Sequence, residues 1–121
     1  MQPAYNNFAL KLMMEDQAPV ELDRQRVTMG RSSTNLIRLL NKSVSRNHLL
    51  IEVFEDHISV QDLNSSAGTF VNSELVPPFE SRVAKLGDTI VIGECVCELV
   101  AASGLTVQPS DSEDGMRTIV W

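Results

Sequence analysis

The 121-residue sequence contains no run of eighteen apolar residues, so it offers no candidate for a membrane-spanning helix. It has no sustained apolar stripe at a 3.6-residue period, which removes amphipathic helices as the main architecture. Cysteine is nearly absent. Cys95 and Cys97 would share one strand face and lie too close together for an easy disulfide, so a reduced, intracellular setting is expected. These cysteines and the two histidines, His48 and His57, have no zinc-like spacing. No nucleophile, base and orienting acid stand out together. The sequence therefore predicts no catalytic residues, no metal and no cofactor, and a protein that is not an enzyme. Only six residues are aromatic, and the formal net charge is −6, which argues against nucleic acid as a partner. Met1–Tyr5 has neither a basic n-region nor an apolar h-region, so no signal peptide and no membrane partner are expected.

What is present is unevenly spread. Between Arg24 and Ile51 there is no Asp or Glu, yet this stretch holds Arg24, Arg26, Arg31, Arg38, Lys42 and Arg46, six of the ten basic residues. An acidic chain with one basic segment suits a local anionic ligand; a solvated basic face is the plain alternative. Strand-like runs recur at Phe8–Met13, Arg26–Met29, Leu36–Leu39, Leu49–Phe54, His57–Gln61, Thr69–Asn72, Thr89–Ile92 and Cys95–Val100. Glu55-Asp56 and Gly93-Glu94 read as hairpin turns, and Pro77-Pro78 and Leu86-Gly87-Asp88 as loops. Many short strands with turn signals about every ten residues predict an all-β sandwich.

Composition shifts after Val100. The polar, acidic run through Pro109-Ser110-Asp111-Ser112-Glu113-Asp114-Gly115 reads as a linker or tail. This divides the chain into a domain over 1–101 and a tail over 102–121. The tail closes on the apolar Met116–Trp121, which reads as a docking strand or peptide, or as the start of a further segment.

Three polar clusters sit where strands end: Gly30-Arg31-Ser32-Ser33, Ser45-Arg46-Asn47-His48 and Asn64-Ser65-Ser66-Ala67-Gly68-Thr69. Brought together, they would make a pocket of guanidinium, hydroxyl and backbone N–H groups suited to phosphate. With Asp62-Leu63 before the third cluster, Phe70-Val71-Asn72 after it, and the closing Leu86-Gly87-Asp88-Thr89-Ile90 and Ile92-Gly93, the sequence resembles the forkhead-associated (FHA) domain family from about Phe8 to Val100. No single piece is specific; their order and spacing on an all-β background carry the resemblance. It implies an FHA/SMAD-like β-sandwich of about eleven strands that binds phosphothreonine peptides through loops at one end. A Ser/Thr kinase would act upstream.

The residue chemistry agrees with that implication. Arg31, Ser45, Arg46 and Ser66 would hold the phosphate, Arg31 through its planar fork of donors. Each charge-assisted bond contributes about 1.5–3 kcal/mol, so a few could support micromolar binding, which needs about −8 kcal/mol. Ser32, Ser33, Asn47, Ser65, Ala67 and Asn72 would contact the peptide. Gly30, His48, Gly68 and Thr69 would frame the site, with Asn72 also a candidate loop brace; an ion pair is the alternative role for Arg31. Ala67 departs from the family, which commonly has Asn there to bond the ligand backbone. Its absence would cost about 1–3 kcal/mol of peptide grip, and it favours an alternative in which the sandwich is a phospho-independent interaction module. Thr118, Ser110 and Ser112 are candidate phosphosites. A phosphorylated Thr118, with Trp121 three places on, could bind a second copy and drive self-association.

Overall fold

The computed structural model describes residues 8–14, 17–102 and 117–121. Among them the chain forms twelve strands and no helix, in two six-stranded sheets. The first sheet has the order β2 (Val20–Leu22), β1 (Phe8–Leu12), β11 (Cys95–Ala101), β10 (Thr89–Ile92), β7 (Thr69–Val71), β8 (Glu74–Leu75). The second has the order β12 (Arg117–Val120), β4 (Ile37–Leu40), β3 (Arg26–Gly30), β5 (Leu49–Val53), β6 (Ile58–Asp62), β9 (Ser81–Ala84). The all-β sandwich expected from sequence is therefore the architecture, with twelve strands where about eleven were expected.

Alternation explains the layers. In β5 and β6 every second residue is buried, and these residues meet Leu10, Leu22, Leu99, Ile90 and Ile92 from the opposite sheet in one core. Cys95 and Cys97 both point into that core as free thiols, as a two-residue spacing on a strand requires. Burial pushes their pKa values up to about 11 and about 12 respectively, with Glu94 adding to the effect at Cys95 and Cys95 at Cys97.

Hairpin turns join β5 to β6 through Glu55-Asp56 and β10 to β11 through Gly93-Glu94. Gly93 takes a φ of +62°, the left-handed value that a primed turn needs at its first central position. A third hairpin, at Asn72-Ser73 between β7 and β8, has positive φ at both residues, 51° and 71°, the pattern of a type I′ turn.

Two pairings are parallel. β4 pairs with β3 only through Met29↔Ile37 and Gly30↔Arg38, then runs on beyond the end of β3. The six residues 31–36 therefore fold out and back, which sets Arg31 beside β4. β12 pairs with β4 on its other side in four-residue register, burying Ile119 and packing Trp121 on the core. Arg117 anchors it through bonds to the Glu21 carbonyl at 2.9 Å and the Asp23 carboxylate at 3.1 Å. No helix among the described residues is long and apolar enough to cross a membrane. Ser110, Ser112 and the acidic run lie outside the described residues.

Candidate functional site

Four connections meet at one end of the sandwich: loop 1 (31–36), loop 2 (41–48), loop 3 (63–68) and the Gly93-Glu94 turn. Loops 1 and 2 are stitched by backbone. Arg31 N–H donates to the Ser45 carbonyl at 2.9 Å and Ser32 N–H to the Arg46 carbonyl at 3.1 Å. Gly30 permits this approach, since a Cβ there would lie 2.2 Å from the Arg46 carbonyl oxygen. The buried Asn35 side chain completes the seam, donating to the Ser32 carbonyl at 2.9 Å and the Arg46 carbonyl at 2.7 Å. The Gly93-Glu94 turn joins through Gly93 N–H to the Gly68 carbonyl and Glu94 N–H to the Ser43 hydroxyl.

Loop 3 is organised by Asp62. Its buried carboxylate accepts from the Ser65 N–H, the Ser65 hydroxyl and the Thr69 hydroxyl. The Ser65 oxygen in turn accepts the Gly68 N–H at 3.1 Å, and Gly68 has a φ of +92°. His48 links loops 2 and 3. Its Nδ1 accepts the Ser45 N–H at 3.0 Å, so the neutral ring carries its proton on Nε2 and donates to the Gly68 carbonyl at 2.9 Å. Burial lowers the pKa of His48 below 6.5, opposed by the Gly68 carbonyl and Asp62. The Ser66 N–H then donates to the Ser45 hydroxyl oxygen at 2.9 Å.

These bonds gather Arg31, Ser45, Arg46 and Ser66 at one end. Arg31 is exposed and spends only its Nε, on the Val44 carbonyl at 3.0 Å. Among the described residues its two terminal nitrogens have no partner and no carboxylate lies within ion-pair distance. Arg38, Lys42 and Arg46 likewise have no carboxylate partner among the described residues. Arg38 donates from Nε to the Arg31 carbonyl at 3.0 Å, holding loop 1 against β4. Ser45 has accepted one bond and keeps its hydroxyl proton; Ser66 is exposed, with its hydroxyl unpartnered among the described residues.

The remaining sequence-predicted residues divide. Ser33, Asn47 and Ala67 are exposed on the three loops. Ser32 forms a local turn, its hydroxyl oxygen accepting the Thr34 N–H at 3.3 Å. Ser65, expected to contact peptide, turns its hydroxyl inward to Asp62. Asn72, expected at the same surface, lies at the opposite end of β7, where its side chain accepts the Thr89 N–H at 3.0 Å. It is a hairpin brace at that position. Sequence reading counted Arg38 only as one charge of the basic segment and passed over Asn35 and the role of Asp62. Asp62 carried a signal, a Ser three residues on, the spacing at which a carboxylate closes a turn on backbone and hydroxyl.

Comparison with known proteins agrees with this geometry. Two curated relatives, each named as an oxoglutarate dehydrogenase inhibitor, come from Corynebacterium efficiens and Corynebacterium glutamicum. They are 38% and 37% identical over 73 residues, which is 60% of this chain and 49% of theirs. The chain thus spans about half the length of the curated relatives it matches. Among solved structures, an FHA domain studied for phosphothreonine-dependent interactions superposes with a TM-score of 0.70 at 26% identity, covering 86% of this chain and 99% of that one. The FhaA FHA domain, in complex with the intracellular domain of Rv3910, gives 0.68 at 28%, covering 76% and 98%. An Arabidopsis thaliana FHA domain gives 0.74 at 25%, covering 89% and 96%. The FHA domain family model matches residues 27–93, more than half of the sequence and the segment that holds all three polar clusters. The chain belongs to the FHA domain family.

Proposed function

We propose that the chain is a phosphothreonine-peptide-binding adaptor domain, reading a partner that a Ser/Thr kinase has modified. The observation that carries this is the Arg31 guanidinium, whose two terminal nitrogens have no partner among the described residues, beside the hydrogen-bonded Ser45–Ser66 pair. In this reading Arg31 supplies terminal N–H donors, Ser45 its remaining hydroxyl proton, and Ser66 an exposed hydroxyl, with Arg46 adding charge. Donors held in place by interloop bonds lose little entropy on binding. That the matched relatives are named as inhibitors of an enzyme supports a regulator that acts by binding. The test is calorimetric titration with a degenerate phosphothreonine library, repeated with Arg31→Ala. Binding that requires both phosphate and Arg31 is expected; binding indifferent to both would reject the proposal.

Ala67 favours a second reading, a phospho-independent interaction module, because that position offers the ligand backbone no side-chain partner. Partner binding that ignores phosphate and Arg31 would support it. Self-association through phosphorylated Thr118 is supported only by the exposure of that side chain on β12. It also requires β12 to leave β4. Sizing the protein with and without phosphate on Thr118 tests it, and an unchanged monomer ends it.

A further inference from the structure

Loop 1 leaves β3 at Arg31 and re-enters the sheet at β4, so the placing of Arg31 depends on what grips the loop at its ends. Strands grip the far end. Leu36 N–H donates to the Thr28 hydroxyl oxygen at 3.0 Å, and the Leu36 carbonyl accepts the Arg117 N–H of β12 at 2.9 Å. At the near end, Arg31 N–H and Nε both donate to carbonyls of loop 2. The bond to the Arg31 carbonyl is of another kind. Its donor, Arg38 Nε, stands on β4, where the flanking Ile37 and Leu39 are buried and Arg38 is half-buried on the outer face. Arg38 pairs with Gly30 of β3 on one side and Thr118 of β12 on the other, so both neighbouring strands fix its backbone. Thr118 is a neutral hydroxyl, and no carboxylate among the described residues lies within ion-pair distance of Arg38. No described anion therefore competes with the Arg31 carbonyl for this guanidinium.

We infer that Arg38 is a positioning residue of the phosphate site, acting through Arg31. The inference rests on the function proposed above and gives a strand residue the task of aiming the fork. A planar guanidinium is selective for phosphate only when it is aimed, and aiming it in advance spares the entropy of ordering it on binding. The Arg31–Ser32 peptide is held from both sides, its N–H on the Arg46 carbonyl at 3.1 Å and its carbonyl on Arg38 at 3.0 Å. With the Arg31 N–H, carbonyl and Nε all bonded, the two terminal nitrogens remain for a ligand. Releasing the carbonyl would leave Arg31, beyond its chain link to Gly30, braced only by another loop. A site whose supporting bonds are loosened loses affinity even when its contact residues are intact.

Two neutral variants separate position from charge. In Arg38→Gln the side-chain amide nitrogen takes the place of Nε along the chain and can still donate to the Arg31 carbonyl; in Arg38→Met no donor remains. Both lose the same charge, so long-range attraction for phosphate falls equally in the two. Calorimetric titration with the tightest-bound phosphothreonine peptide of the library should find Arg38→Met weaker than Arg38→Gln by about tenfold, the loss expected for one positioning hydrogen bond. Melting temperatures of both should match the wild type, because the altered side chain lies outside the core. Equal affinities of the two variants would overturn the inference while leaving the proposed function standing. A weaker Met variant whose melting temperature also falls would do the same, since the loss would then be one of general stability. A wild type that binds no phosphothreonine peptide would overturn the proposed function, and the part assigned to Arg38 with it.

Discussion

The Ser66 amide donates to the Ser45 hydroxyl oxygen at 2.9 Å, joining two loops twenty-one residues apart in sequence. The donor is backbone and the acceptor is side chain, so the two serines are not equivalent. Ser66→Ala keeps the link and deletes only an exposed hydroxyl. It is expected to weaken phosphopeptide binding by about tenfold, one charge-assisted bond, with the melting temperature unchanged. Ser45→Ala deletes the link as well, and should lower both affinity and stability, the latter by about 1 kcal/mol. Equal effects of the two variants on thermal unfolding would contradict this division.

Gly30→Ala should damage the site from beneath. Its Cβ would meet the Arg46 carbonyl oxygen at 2.2 Å and the Asn35 side-chain nitrogen at 2.8 Å. The obstructing atom is backbone held by two other bonds, so loops 1 and 2 must separate. A loss of about 1–3 kcal/mol is expected from overpacking, together with loss of binding. Chemical denaturation would read the first and calorimetry the second.

Ala67→Asn is expected to tighten binding of a phosphothreonine peptide with polar flanks by restoring a partner for the ligand backbone, by up to about 1–3 kcal/mol. Calorimetry that finds polar-flank binding unchanged or weaker would refute this account of the loop.

Acid should loosen the loop cluster. His48 has a folded pKa below its ordinary 6.5 because it is buried neutral. Below about pH 6.5 the unfolded chain takes up a proton that the folded chain refuses, so stability present above that pH falls as pH drops toward the folded value. The protonated ring also loses the Nδ1 lone pair that accepts the Ser45 N–H. Urea midpoints of the unliganded protein, compared in a His57→Gln background to remove the other histidine, should decrease between about pH 7.5 and 5.5. A flat or rising midpoint would exclude the effect.

β12 should act as part of the sheet. Ile119 is 4% exposed and pairs beside Leu39, so Ile119→Ala should cost about 2–4 kcal/mol. Removing residues 117–121 would also bare the backbone of β4, and an unpaired edge invites association. Light scattering should then show more association than in the full chain.

The long apolar strands were legible because alternation and turn residues announce them; Leu49–Val53 and Ile58–Asp62 show this most plainly. β2, β8 and β9 were not. Glu74-Leu75 is two exposed residues, and Ser81–Ala84 buries only Ala84, so neither prints a pattern. Edge strands are short and polar by nature. The three clusters at the loop end were readable as residue types, but their partners were not. Asn35 looks like any loop residue until its bonds to two carbonyls are seen. Asn72 follows the third cluster closely enough in sequence to read as a peptide contact, yet β7 carries it to the far end of the sandwich. Sequence proximity cannot tell which end of a strand a residue faces.

Among the described residues Arg31, Arg38, Lys42 and Arg46 stand without carboxylate partners, in a protein whose net charge is −6. The described surface therefore gathers positive charge without carboxylate partners around loops 1 and 2, which draws anions toward that end. For a phosphorylated partner, that shapes the encounter more than the final grip. Added salt should slow arrival well before it hastens departure.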